Sequence, residues 1–106
     1  MNIQVHYQGL DSSPWMDQFM TARVQKLHRY LNGASSILIT VRMENRKYST
    51  TLAIHNYRDY AFTADGENLY ESFAAAVDKA SRTLGEQKRM LKDKINRRYP
   101  ALKSVA

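Results

Sequence analysis

The chain has 106 residues, 43% of them hydrophobic, enough for one modest core and too little for two. Its 16 Lys and Arg against 10 Asp and Glu leave a net charge of +6, which favours a polyanionic partner without identifying one. Cysteine is absent, which excludes disulfides, thiolate zinc sites and cysteine nucleophiles, and neither a membrane span nor a signal peptide is visible, so an unexported, cytoplasmic protein is expected.

Ile3, Val5 and Tyr7 alternate with Gln4 and His6, the two-residue period of a half-buried strand, and Gly9 marks the turn after it. Ser13 before Pro14 predicts a helix start, with serine as N-cap, proline at the first helical position and Asp17 adding negative charge in the early turns. Met16, Met20, Val24, Leu27 and Leu31 then recur at spacings of three and four, one apolar stripe, and Asn32-Gly33 predicts a left-handed stop. Such a helix needs a flat apolar surface to pack on.

Ile37, Ile39, Val41 and Met43 alternate with Leu38, Thr40 and Arg42 as a second strand. Asn45-Arg46-Lys47 is a polar hairpin loop, followed by a third strand in which Tyr48, Thr50, Leu52 and Ile54 share a face. Residues 56–59 turn the chain into a fourth strand, Tyr60 to Ala64, which Asp65-Gly66 closes, so the last three strands form an antiparallel meander.

The final element runs from about Glu67 to Arg98, with Leu69, Tyr70, Phe73, Val77, Ala80, Leu84, Leu91 and Ile95 on one face and Pro100 preventing continuation. A helix of roughly 30 residues is about 45 Å long, whereas strands of about eight residues span about 27 Å, so this helix should overhang its sheet. The order β-α-β-β-β-α, with two helices each requiring an apolar sheet face, predicts a two-layer α+β domain. Both helices pack on one face of a four-stranded sheet. Residues 1–98 form this single domain, and 99–106 are expected to be a short flexible tail.

Between positions 87 and 98, Lys88, Arg89, Lys92, Lys94, Arg97 and Arg98 face one acid, Asp93, a local excess of five positive charges. Upstream, Asp78 lies four residues before Arg82 and Glu86 four after it, spacing that suits solvated ion pairs. Projected at 100° per residue, Arg82 and Arg89 point away from the core stripe, with Lys79 nearby around the helix. The first helix adds Arg23, Lys26 and Arg29 on a flank and the back. Side by side on one sheet face, the two helices could form a groove with positive walls at phosphate spacing, although solvated helix faces of this kind are also common in proteins that bind nothing acidic. Tyr57, Tyr60 and Tyr99 could stack on bases if exposed, but strand or loop aromatics are the commoner role.

Nothing points to catalysis. His6, His28 and His55 lack metal-ligand spacing, no GxSxG, HExxH or phosphate-loop pattern occurs, and the acids are scattered. Neither a metal, nor a cofactor, nor a small-molecule substrate is expected.

The element order, with Thr21-Ala22-Arg23-Val24-Gln25-Lys26-Leu27, Leu69-Tyr70 and Val77-Asp78-Lys79-Ala80-Ser81-Arg82-Thr83-Leu84, resembles the ribosome hibernation-promoting factors and the related ribosome-associated inhibitor over residues 1–98. The resemblance implies a fold similar to double-stranded RNA-binding domains. It also implies binding to rRNA of the small ribosomal subunit at the channel for messenger and transfer RNA and a block of translation, as in hibernation and the stationary-phase stress response, and the free chain is expected to be a monomer. The family's basic helical residues correspond to Arg23, Lys26, Lys79, Arg82, Lys88 and Lys92, with Arg89 added by position. The chain departs from the pattern at Glu86, where a lysine is frequent, at Gly85, which weakens a helix by about 1 kcal/mol relative to alanine, and at Asn68, where aspartate is frequent. A length of 106 residues leaves no room for the second domain of the long family form, and the tail is not acidic, which favours the short hibernation-promoting type. Two alternatives are a general double-stranded RNA-binding module and a protein-interaction domain that dimerises through an edge strand.

Overall fold

A computed structural model describes residues 1–31, 33–56 and 58–98, with 91–98 described by their helical backbone alone. Strand β1 (Asn2–Gln8) leads into helix α1 (Pro14–Gln25), which tightens into a 3-10 helix (Lys26–Tyr30). Strands β2 (Ser36–Glu44), β3 (Lys47–His55) and β4 (Asp59–Gly66) follow, and then helix α2 (Leu69–Arg98). The sheet order is β1-β2-β3-β4, with β1 parallel to β2 and the other pairs antiparallel. A parallel pair needs a crossover, and α1 supplies it.

The register sets one side chain from every strand into transverse, mostly apolar rows: Ile3, Ile37, Ile54 and Tyr60; Val5, Ile39, Leu52 and Phe62; Tyr7, Val41, Thr50 and Ala64. Met20, Val24 and Leu27 from the first helical segment, and Phe73, Ala76, Ala80 and Leu84 from α2, bury these rows. The opposite face carries Gln4, His6, Thr40, Thr51 and Thr63, and remains open to water. The result is the two-layer α+β arrangement that the alternation required. Between β2 and β3 the turn is two residues long, with Asn45 at φ 51° and Arg46 at φ 63°, the doubly left-handed geometry that matches strand twist.

Helix α1 starts where Ser13 and Pro14 predict, with the Met16 amide donating to the Ser13 hydroxyl at 3.3 Å. Its end differs from expectation. After Gln25 the chain winds as a 3-10 helix, and Leu31 is extended at φ −123°. Gly33 has no left-handed φ, and Asn32 lies outside the described residues. The tighter winding still buries Leu27, so the apolar stripe is satisfied without a glycine stop.

Asn68 caps α2, its side chain accepting from the Glu71 amide at 2.8 Å, while the Glu71 carboxylate accepts from the Glu67 amide at 3.2 Å. Asparagine serves as an N-cap as well as aspartate does. Beneath this first turn the buried Thr50 and Ser72 hydroxyls share a hydrogen bond of 2.8 Å. The helix comes so close to β4 that a Cβ on Gly66 would lie 2.6 Å from the Ser72 amide nitrogen. Gly85 differs: a Cβ there would meet the Tyr30 ring at 3.6 Å, an ordinary contact. Gly66→Ala is therefore expected to lower stability by about 1–3 kcal/mol through overpacking. Gly85→Ala should raise it by up to about 1 kcal/mol through helix propensity. Denaturant unfolding of the two variants reads both signs.

Tyr7 ties β1 to the start of α1, its hydroxyl donating to the Asp17 carboxylate at 2.6 Å. Burial and then the Asp17 carboxylate push its pKa up to about 12. A phenol whose folded pKa is raised contributes stability that is complete below the ordinary value near 10 and is lost as pH rises towards 12. Stability measured across that interval should fall in the wild type, and Tyr7→Phe should remove this part of the alkaline decline.

Candidate nucleic-acid interface

The two helices lie side by side on the sheet with a groove of about 250 Å³ between them. Phe19 and Arg23 of α1 face Tyr70, Ala74, Val77, Asp78 and Ser81 of α2 across it, with Phe73 at its base. Arg23 is an exposed residue whose guanidinium sits 5.2 Å from the centroid of the Phe19 ring, a cation held over an aromatic face. Of the two carboxylates spaced to meet Arg82, Asp78 forms the ion pair, at 3.1 Å. The Arg82 and Asp78 side chains are 78% and 57% exposed, and a pair this wet contributes at most about 1 kcal/mol, so an incoming phosphate can displace it. Charge at this part of the groove is mixed rather than uniformly positive.

The remaining predicted residues are distributed around the helices. Lys79 lies on the other flank of α2, where its ammonium donates to the Thr63 carbonyl of β4 at 2.7 Å. Lys26 is exposed outside the groove, bordering a shallow hollow with Met1, Ala22, Gln25 and His28. Lys88 donates to the Arg29 carbonyl and so joins α2 to the 3-10 helix. Arg89 is exposed, and the side chain of Lys92 lies outside the described residues.

Leu84 is the last buried core residue of α2 among those described, and Glu86 to Met90 are exposed without interruption. That is the overhang predicted from the length mismatch. A helix alternates buried and exposed positions only while something lies under it. Here the sheet no longer does, and Met90 is 63% exposed.

Two aromatic residues, Phe19 and Tyr70, line the groove and a third, Trp15, stacks on Phe19 at its mouth, none of them expected there from the sequence. Trp15 is 69% exposed and stacks on Phe19, with centroids 5.8 Å apart and planes 8° from parallel. Tyr70, expected in the core stripe, is 53% exposed and meets Phe19 at 5.7 Å from the other helix. It sits in the first turn of α2, where its neighbour is the side of α1 rather than the sheet. A signal is present all the same: Trp15, Phe19 and Arg23 are four residues apart on one helix face. Tyr60, by contrast, is half-buried in its transverse row beside Phe62, and Tyr57 and Tyr99 lie outside the described residues.

Among the described residues no group of three or more His, Asp or Glu could hold a metal ion. His6, His28 and His55 are all exposed, and the 2.5 Å contact between His55 and Asp59 spans the β3–β4 turn. No described helix is long and apolar enough to cross a membrane.

Residues 3–92 match the family model described as sigma 54 modulation protein / S30EA ribosomal protein. The chain is 22% identical over 93 residues to the ribosome hibernation promoting factor of Escherichia coli K12, a match that covers 87% of this chain and 98% of the relative. The factor of the same name from Klebsiella oxytoca is 24% identical over the same shares. Among solved structures, the Thermus thermophilus Protein Y N-terminal domain superposes with a TM-score of 0.73 at 16% identity, covering 79% of this chain and 96% of that one. A ribosomal subunit interface protein from Coxiella burnetii gives 0.70 at 21%, covering 84% and 99%. At such identities these two structures establish the shared fold.

Proposed function

The chain belongs to the sigma 54 modulation protein / S30EA ribosomal protein family, a family of ribosome-associated hibernation factors, and we propose that it silences translation by binding rRNA of the small subunit at the channel for messenger and transfer RNA. The observation that carries this reading is the exposed stretch 86–90 of α2, with Lys88 and Arg89, at the start of the cationic sequence that ends the helix and beside a groove that holds Arg23. Phosphate contacts of this kind fix position and carry little base-sequence information, so selectivity would come from the shape of a folded RNA.

The geometry ranks the contacts. Arg23, Arg82 and Arg89, with Lys92 adding charge to the same turns, would meet phosphates first. Lys79 and Lys88 each hold a backbone carbonyl, and would reach RNA by releasing these exposed bonds to water. Lys26 would meet an RNA segment on the outer side of α1.

Dimerisation through an edge strand is the less favoured reading. The Lys79 ammonium on the Thr63 carbonyl puts a charge on the free edge of β4, a device that blunts edge-to-edge pairing and supports a monomer. A general duplex-binding module remains the alternative within the RNA class. It would bind a bare RNA duplex as tightly as a ribosomal subunit, so a competition between the two separates them.

Co-sedimentation with small subunits at moderate salt is the expected outcome, and protein remaining at the top of the gradient would contradict it. Affinity should fall steeply with salt. Arg82→Glu combined with Arg89→Glu should weaken binding and reduce the slope of log affinity against log salt by roughly one for each phosphate left without its cation. Lys79→Ala should lower that slope by no more than about one, the effect of losing a single phosphate contact.

A further inference from the structure

We infer that the aromatic cluster at the mouth of the inter-helix groove, with Trp15 as its exposed plane and Tyr70 beside it, is a stacking site for an unpaired base of the bound RNA. This rests on the ribosomal reading above and adds a contact that phosphate attraction does not supply.

Leaving large aromatic rings in water is costly. Trp15 sets one face nearly parallel on Phe19 and leaves 69% of its surface in water, although an indole is the side chain with most to gain from burial. Tyr70 does the same from α2, with 53% exposed and its ring 5.7 Å from that of Phe19. Phe19 in turn rests on the buried Phe73 at 6.0 Å, so the platform is anchored in the core and does not need to be ordered by its ligand. A further flat ring laid on Trp15 would extend the existing stack.

The surroundings select the kind of ring. Arg23 places a cation over Phe19, one turn from that ring and two turns along the same helix from Trp15, so it can pair with a phosphate of the RNA strand that carries the stacked base. Ser81 lines the α2 wall of the groove further along, beside Arg23, and offers a hydroxyl to the strand as it passes. A π-face, a cation and nearby polar groups together make the pattern by which single-stranded RNA is held. A protein partner fits less well. Two exposed rings, fully covered, amount to at most about 500 Å², short of the roughly 800 Å² per partner of a stable protein interface.

Trp15 is the chain's single tryptophan, so the site carries its own reporter. Its fluorescence should be quenched by a short unstructured RNA oligonucleotide and not by a blunt RNA duplex of the same length. Trp15→Ala, at a largely exposed position that leaves the core intact, should weaken binding to purified small subunits by about 5- to 150-fold, the range for removing one stacked base. Trp15→Phe should recover most of it. The salt slope should stay at its wild-type value, because every phosphate keeps its cation. Wild-type affinity of Trp15→Ala for small subunits would overturn the inference while leaving the ribosomal reading intact. A wild-type protein that fails to sediment with subunits, yet is quenched by the oligonucleotide alone, would overturn the ribosomal reading and sustain the stacking site. Equal quenching by duplex and oligonucleotide would overturn the site's preference for unpaired bases.

Discussion

Strands of nine residues span roughly 30 Å, and a 30-residue helix about 45 Å, so close to a third of α2 has no sheet to pack on. That mismatch governs the rest of the molecule. Up to Leu84 the helix spends its apolar face on the rows contributed by β3 and β4, and its composition is ordinary for a surface helix. From Glu86 to Met90 the described residues are all exposed, and from Lys88 onward the sequence becomes cationic. Charge accumulates where packing makes no demand, and a charged rod projecting from a compact support suits a deep, negatively charged surface.

The support is built to hold that rod in one orientation. Parallel pairing of β1 with β2 places α1 next to α2, and the Tyr7 contact with Asp17 fixes the start of α1 to the sheet. At the far end, Lys88 and the approach of Tyr30 to Gly85 join the 3-10 helix to α2 just before the overhang. The same contacts define the groove, so its aromatic mouth and the cationic end keep a fixed relation. Several cations do double duty. Lys79 screens the β4 edge and Lys88 secures the 3-10 helix, which makes them parts of the scaffold before they are parts of a binding face.

Much of this is legible in the residues because the period of apolar positions is a direct consequence of backbone geometry. Ile37, Ile39 and Val41 have to share a face, Asn45-Arg46 can turn the chain because both adopt left-handed backbone, and the overhang follows from two lengths. The family is legible in the order of elements and in the Arg23 and Asp78 to Leu84 segments. Other features depend on contacts between elements. A helical projection places Lys79 off the core stripe but does not reveal that β4 lies beneath that flank. Tyr70 falls on the apolar stripe by spacing, and only the position of α1 leaves it half in water. The end of α1 departs from expectation because Leu27 is buried equally well by an α or a 3-10 turn, so periodicity does not distinguish them. Trp15 shares a helical face with Phe19 and Arg23 by spacing, but that spacing does not reveal that the face lies at the mouth of a groove rather than against the sheet.

Whether the cationic end of α2, oriented by the groove, meets RNA in the messenger and transfer RNA channel is tested most directly by chemical footprinting of rRNA in small subunits saturated with the protein. Protections confined to that channel, and absent with the Arg82→Glu, Arg89→Glu double variant, are the predicted result. Protections elsewhere on the subunit, or protections that persist in that variant, would contradict it.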